Sequence, residues 1–363
     1  YDLLSAMGLA ALMLLWHSPY LIDQAGVQLS FAAIGGIGLA KEMEESAVSS
    51  SMAEPSPETE CGEIHTWGQT LRLSLCMQLL SLPIILWHFF SYPLYGIALN
   101  LVVVPLTGVI VGTGAGGILG SLFSIRAGTW IIGGGRAVLA WYEFCCRCFM
   151  KLPGSSLLCG RPKLWQILVY YMVLGVVITF VVNGYRKSAP AYRVPGWSEP
   201  AVKAGLGILR SLYGKSETVM VFLLLAALTF LRPPAVRGLE VTILDTGQGD
   251  GICIRTKSEV ILVDGGSTDQ KELGRYRLEP FLKSMGIRQV DLAIVTHGDW
   301  DHISGISWLM EQKAAEKARG ASDAVLIRKL AMPEIGKGED VYGRLEQLCV
   351  QQEIGRASCR ERV

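Results

Sequence analysis

The sequence predicts a polytopic α-helical membrane bundle followed by a smaller domain of layered strands and helices. Three observations predict it. Half of the 363 residues are apolar and only 18% are charged, the apolar residues gather in long runs toward the front, and after Arg232-Pro233-Pro234 the texture changes to short β-rich segments and turns. This balance is too apolar for a soluble enzyme throughout, and it is the reverse of a disordered composition. From Tyr1 to Ala40 the only formal charges are Asp2 and Asp23, which suits a lipid environment. A net charge of +1 gives no global polyanion-binding signal, so any nucleic-acid contact must come from local geometry. The nine cysteines are scattered, with Cys145, Cys146 and Cys148 inside an apolar stretch, and read as mostly reduced, small, buried side chains.

Taken in order, apolar runs long enough to span a bilayer, or nearly so, lie at 3–22, 27–40, 71–90, 94–123, 130–150 and 164–182, with a shorter one at 219–231. The runs at 27–40 and 219–231 fall below the roughly 20 residues of a perpendicular span, so each is a crossing, a re-entrant segment or a buried helix. Pro83, Pro93 and Pro105 interrupt these segments, and Gly112, Gly114, Gly116 and Gly117 thin one of them. That pattern suits either helices packed closely together or helices broken around a cavity. His17, His65 and His88 are candidates either for proton relays or DNA contacts inside the membrane or for interfacial positions, and the second reading is preferred because they adjoin or nearly adjoin Trp16, Trp67 and Trp87, as an aromatic belt predicts. Arg72, Arg126, Arg136 and Arg147 are candidates either for lining a polyanion path or for snorkelling to the headgroups.

Two polar segments should face opposite sides: an acidic, Ser-rich one at about 41–63 and a basic one at about 183–215 carrying Arg186, Lys187, Arg193, Lys203, Arg210 and Lys215. The positive-inside rule makes the second cytoplasmic. If 219–231 then crosses once, everything after Arg232 lies outside the cytoplasm; if that run only lies along the surface, the tail stays inside.

In the soluble part, strands are expected at 239–244, 252–256 and 260–263, the first ending in the turn Asp245-Thr246-Gly247-Gln248-Gly249-Asp250 and the third closing on Asp264. A mostly helical stretch at 269–285, broken or capped at Pro280, precedes another strand at 290–296. A helix at 303–317 follows, with Ile303, Ile306 and Met310 on one side. Between that strand and helix lies His297-Gly298-Asp299-Trp300-Asp301-His302. It packs two imidazoles and two carboxylates into six residues, the mixed nitrogen and oxygen donor set that divalent cations select.

This spacing resembles the HxHxDH signature of the metallo-β-lactamase fold, with Asp299 at the second histidine position. Together with the Gly247-Gln248-Gly249-Asp250 turn it resembles more specifically the ComEC-type DNA internalisation (competence) family. In the apolar region Pro19, Asp23, Gly26 and Gln28-Leu29-Ser30-Phe31 resemble that family's membrane motif, and Leu82-Pro83 through Asn100 to Pro105 resemble the next. The resemblance spans about residues 3–352.

Carried across residue by residue, it makes His297 and Asp299 ligands of one metal and Asp301 and His302 ligands of a second, with Asp301 the catalytic carboxylate. Asp264 braces the metal loop without being a ligand, and Asp250 contacts substrate, although Gly251 stands where Ser or Ala is usual. The implied cofactors are two divalent ions, manganese or zinc, with Asp299 shifting the preference toward harder ions. The implied function is a DNA internalisation channel of natural transformation, multi-pass in the cell (inner) membrane, whose extracytoplasmic metal domain degrades one strand. Its implied partners are incoming DNA that passes the membrane single-stranded, lipid, DNA-receptor and motor subunits, and further copies of itself. Two rivals stand beside this: a membrane-anchored hydrolase of another substrate, and a non-enzymatic conduit.

The domain reading is therefore 1–231 for the membrane region, 232–352 for the N-terminal half of a metallo-β-lactamase-like αββα domain, and 353–363 for a tail that resembles a translated sequencing adapter. No histidine follows His302, although the metallo-β-lactamase pattern needs later ones. Tyr1 begins within an apolar run. The chain accordingly reads as a fragment cut at both ends and, on its own, catalytically incomplete.

Overall fold

The structure, a computed structural model, describes residues 3–50, 67–152, 154–188, 216–319, 324–333 and 340–359. Most of the acidic and basic segments, His65 and the last four residues lie outside these. The chain divides into two compact units. One comprises Tyr1–His88, Tyr95–Cys146 and Pro162–Leu231; the other comprises Phe89–Leu94, Arg147–Arg161 and Arg232–Val363.

The first unit is helical: α1 (Leu3–His17), α2 (Ala25–Ser50), α3 (Trp67–Phe89), α4 (Gly96–Phe123), α5 (Ile125–Met150), α6 (Leu164–Ser188) and α7 (Ser216–Phe230). The run expected at 3–22 ends early, because Ser18 precedes a proline and is extended (φ −153°, ψ 107°), after which Pro19–Asp23 make a 3₁₀ turn. The short run at 27–40 sits inside the longer α2, whose later turns carry Lys41, Glu42, Glu44 and Glu45. Among the described residues two helices are long and apolar enough to cross a membrane, Gly68–Phe89 and Gly96–Phe123; Ser5–His17, Leu164–Thr179 and Thr218–Phe230 are apolar but shorter. The run expected at 130–150 lies in α5, which carries charges at Arg126, Arg136, Glu143 and Arg147.

Prolines and glycines shape this unit. Pro83 has no N–H for the carbonyl of Leu79 one turn earlier; the Tyr170 hydroxyl of α6 donates to that carbonyl at 2.6 Å, and Tyr171 donates to the Leu80 carbonyl at 2.9 Å. Near Pro105, Tyr142 of α5 donates to the Val103 carbonyl of α4 at 2.7 Å. A Cβ on Gly36 would lie 2.6 Å from the Met77 Cα, so α2 and α3 touch backbone to backbone. Gly117 and Gly128 bring α4 and α5 equally close, whereas Gly112 and Gly114 face open space.

The second unit carries a two-stranded antiparallel ladder, β1 (Ser91–Pro93) with β2 (Ser156–Leu158). Its main sheet contains β3 (Glu240–Ile243), β4 (Gly251–Arg255), β5 (Val260–Asp264), β7 (Leu292–Ile294), β9 (Lys329–Pro333) and β10 (Gly355–Cys359) in the order β10-β9-β7-β5-β4-β3. β3, β4 and β5 form an antiparallel meander, while β5, β7, β9 and β10 run parallel. The strand expected at 290–296 is split. β6 (Gln289–Val290) pairs with β8 (Leu326–Ile327) in a separate ladder, and Asp291 between β6 and β7 turns its carboxylate to the Val260 N–H at 3.0 Å.

A π-helical turn (Gly274–Leu278) leads into α8 (Glu279–Ser284), with Pro280 in the first turn where its missing N–H costs nothing. α9 (Trp300–Arg319) buries Ile303, Ile306, Leu309 and Met310 against Leu262, Ala293, Val295 and Leu330 of the sheet region, joined by Leu345 and Cys349 of α10 (Asp340–Gln352). The segment read as a foreign tail pairs here as β10: the edge of β9 offers unpaired backbone groups, and an open edge accepts whatever extended segment reaches it.

Candidate metal centre

The loop His297–His302 leaves the parallel part of the sheet at the C-terminal end of β7, beside the end of β5, and runs directly into α9. Open sheets present their parallel strand ends there for ligands. Asp264, the last residue of β5, is buried and has φ 53°, a left-handed conformation that Asp tolerates better than most side chains. Its two oxygens accept three hydrogen bonds, from the Thr296 N–H at 2.8 Å, the Thr296 hydroxyl at 2.7 Å and His302 Nδ1 at 3.0 Å.

These bonds settle which imidazole nitrogens are free. An ionised carboxylate only accepts, so His302 Nδ1 carries the proton and Nε2 presents its lone pair. Thr296 gives its hydroxyl proton to Asp264 and therefore accepts from His297 Nδ1 at 3.0 Å, which leaves His297 Nε2 open as well. One buried carboxylate thus orients both rings, directly for His302 and through Thr296 for His297. Carboxylate-to-histidine support of this kind orients metal ligands.

His297, Asp301 and His302 each offer one ligand atom within 4.8 Å of the other two. The rings have centroids 3.6 Å apart, and His302 Nε2 lies 3.7 Å from Asp301 Oδ2 and 4.0 Å from Asp250 Oδ2. Asp299 stands outside this trio, highly exposed, with Oδ2 3.6 Å from His297 Nε2. The donors present, two imidazole nitrogens and a carboxylate with two more carboxylates beside them, fit a divalent cation.

The Gly247-Gln248-Gly249-Asp250 turn packs on this loop. Asp250 donates its N–H to the Asp301 carbonyl and accepts from Gly266 N–H, each at 3.3 Å. A Cβ on Gly249 would lie 2.7 Å from the Asp301 carbonyl oxygen and closer still to that of Gly266, so only glycine lets the two backbones meet. At position 251 a Cβ would lie 3.1 Å from side-chain atoms of Leu244 and Thr246, which would have to yield slightly to any larger residue. Asp269 holds the turn from outside, accepting from the Ser267 hydroxyl at 2.7 Å and the Gln248 N–H at 2.9 Å. Those two donors, the hydroxyl foremost, keep its carboxyl below the usual carboxylate range.

Sequence reasoning missed Thr296 and Asp269. Thr296 directly precedes the metal loop, and a hydroxyl at that position is the signal that was available. Asp269 carried none, because the Gln248 N–H through which it holds the turn lies 21 residues away.

A model of the competence protein family matches residues 1–183, and one of the metallo-beta-lactamase superfamily matches residues 244–343. ComE operon protein 3 of Bacillus subtilis (strain 168) is 26% identical over 335 residues, which cover 86% of this chain and 37% of that protein. Competence protein ComA of Neisseria gonorrhoeae is 36% identical over 85 residues, 23% of this chain and 12% of its own. The chain therefore spans well under half the length of these relatives. No solved structure matches it.

Proposed function

The chain belongs to the competence protein family, and from that premise we propose that it is the membrane region and partial metallo-β-lactamase-like domain of a DNA-uptake protein. In this reading the helical unit (1–231) is a multi-pass bundle that passes one strand inward, and the sheet domain (232–352) degrades the other. The observation that carries the catalytic part is the buried Asp264, which commits Nδ1 of both His297 and His302 and turns both Nε2 atoms outward beside Asp301.

His297, Asp301 and His302 would hold a divalent ion, manganese or zinc, and Asp299 would join His297 at one of two such positions. A bound ion supplies Lewis acidity toward a phosphodiester. The protein's own residues do the rest: Asp264 and Thr296 keep the imidazoles in their binding tautomer, Asp301 is the catalytic carboxylate, and exposed Asp250 meets the substrate at the rim.

Chain connectivity supports an extracytoplasmic domain. Phe89–Leu94 and Arg147–Arg161, which join α3 to α4 and α5 to α6, belong to the same unit as the sheet. The basic segment at 183–215 joins the opposite ends of α6 and α7, and the positive-inside rule gives that side to the cytoplasm. Receptor and motor subunits, and further copies of the chain, complete the machine in this reading, with 353–363 no part of it.

Substituting His297→Ala with Asp301→Ala in the complete protein tests the reading. Manganese-dependent cleavage of naked DNA should fall at least about a hundredfold, on the scale of losing an essential catalytic group, and so should transformation frequency. Unchanged cleavage would remove the loop from the mechanism; lost cleavage with normal transformation would favour the conduit.

A further inference from the structure

One end of the 245–250 turn packs on the metal loop; the other lines a cleft of about 380 Å³ within the sheet-bearing unit. Its walls include Phe90, Arg161, Asp245, Arg277 and Phe281. Leu278 separates the cleft from the metal loop's supports, since it also lies against Gly265 and Gly305. Asp245 and Asp250 are five residues apart, so the cleft wall stands at most about 18 Å along the backbone from the residue facing His302.

The cleft combines aromatic faces with guanidinium groups. Arg277 is fixed by Asp245, 2.8 Å from its carboxylate and 2.7 Å from its carbonyl. Arg161 is exposed, and its backbone N–H is anchored on the Ser284 carbonyl at 2.6 Å. Cys159, two residues before it, feels the charges of Arg232 and Arg288. Two guanidinium groups, those of Arg161 and Arg277, therefore line the cleft itself in a chain whose net charge is only +1. Phe90 adopts φ 62°, unusual for a bulky side chain. It is held there by the N–H groups of Cys159 and Gly160, which donate to its carbonyl at 2.9 and 2.8 Å. Backbone strain of this kind gathers at ligand clamps.

We propose that this cleft is a subsite for single-stranded nucleic acid, with Phe90 and Phe281 offering faces to a base and Arg161 and Arg277 neutralising the flanking phosphates beside the metal loop. Alternation of aromatic surface and cationic groups is how unstacked strands are gripped without sequence readout. The proposal rests on the nucleic-acid reading above.

Fluorescence anisotropy of a labelled twelve-residue oligothymidylate tests it, with the full chain in detergent and EDTA present so that neither metal nor cleavage contributes. Arg161→Gln and Phe90→Gly are the variants, the second suiting the left-handed backbone while removing the ring. Each should weaken binding about tenfold. Arg161→Gln should also reduce the slope of log affinity against log salt by about one ion, and an abasic oligomer should bind the unsubstituted chain no better than oligothymidylate binds Phe90→Gly. Variants that bind as tightly as the parent overturn the subsite and leave the function standing. A parent chain that binds no oligonucleotide overturns both, and capture of anionic lipid vesicles, lost in Arg161→Gln, would then assign the cleft to headgroups.

Discussion

In the helical unit Trp16, Phe123 and Trp130 are 94%, 93% and 86% exposed, whereas in the sheet-bearing unit Leu262, Ile303 and Ile306 are sealed completely. The same kinds of side chain face opposite ways. An apolar surface of the first kind needs another apolar phase to cover it, which lipid supplies in the proposed reading; the second unit builds its own. Polar contacts are also arranged differently. In the sheet-bearing unit Asp264, Thr296 and His302 form one linked set at the candidate metal centre, while in the helical unit Tyr170 and Tyr171 bond singly to carbonyls of α3. Each unit also holds buried polar atoms with no hydrogen-bond partner among the described residues, Ser74 Oγ and Gln78 Oε1 in the first and Tyr92 Oη in the second. The lesson is that the sheet-bearing unit links polar groups at one site, and the helical unit spreads such contacts along its helix interfaces.

Asp264→Ala should break this contrast most severely. It strands the Thr296 N–H and the His302 ring and puts a Cβ residue without a polar tip at a positive φ. Metal affinity should fall about 10- to 100-fold, read by equilibrium dialysis of the complete protein, with a stability loss of about 3 kcal/mol in denaturant titration. Asp264→Asn, which suits the backbone, should fall between. Metal binding at parental affinity in the alanine variant would deny Asp264 its bracing role.

A glycine pair sharpens the comparison next. Gly249→Ala drives a methyl into the carbonyl oxygens of Gly266 and of Asp301 in the metal loop and should cost about 1–3 kcal/mol. Gly112→Ala meets nothing within 4 Å and should be neutral or stabilise its helix by up to about 1 kcal/mol. Equal effects on thermal unfolding would erase the distinction between glycines of close approach and glycines of open surface.

Smaller still is Tyr170→Phe. It leaves the Leu79 carbonyl without its donor and should cost about 0.6–1.7 kcal/mol, the range for hydrogen bonds between membrane helices, with no change in metal content. A loss of metal binding would mean the two units are coupled.

The smallest effect is one of pH. The Asp269 carboxyl lies below its usual range in the folded chain, so its contribution is present above the unfolded carboxylate value and is lost as pH falls through the lowered folded value. Exchange of the Gln248 amide proton, corrected for intrinsic rate, should quicken on acidification through that window. Asp269→Asn should remove the pH dependence; the same acid response in the variant would place its origin elsewhere.

Much of the molecule was legible in the chain. The apolar runs, the strands at 252–256 and 260–263 and the buried face of Ile303, Ile306 and Met310 follow from patterns a few residues long, whereas the end of the first helix before Pro19 was read through as part of one run. The trio His297, Asp301 and His302 could be named because its members fall within one loop and the next helical turn. Local signals did not reveal the division of 290–296 at Asp291, since an apolar run does not show which neighbours its backbone will pair with.

What the sequence by itself determined is the inventory: greasy helices, a strand-rich domain and four clustered donors. Tertiary structure alone decided the arrangement, because β5 lies beside β7 in the sheet and so sets Asp264 against Thr296 and His302, 32 and 38 residues further along. It also left Asp299 outside the trio and set Gly249 against the backbone of the metal loop. Spacing can hold chemistry that one turn of chain brings together, whereas groups tens of residues apart meet only through strand register and packing.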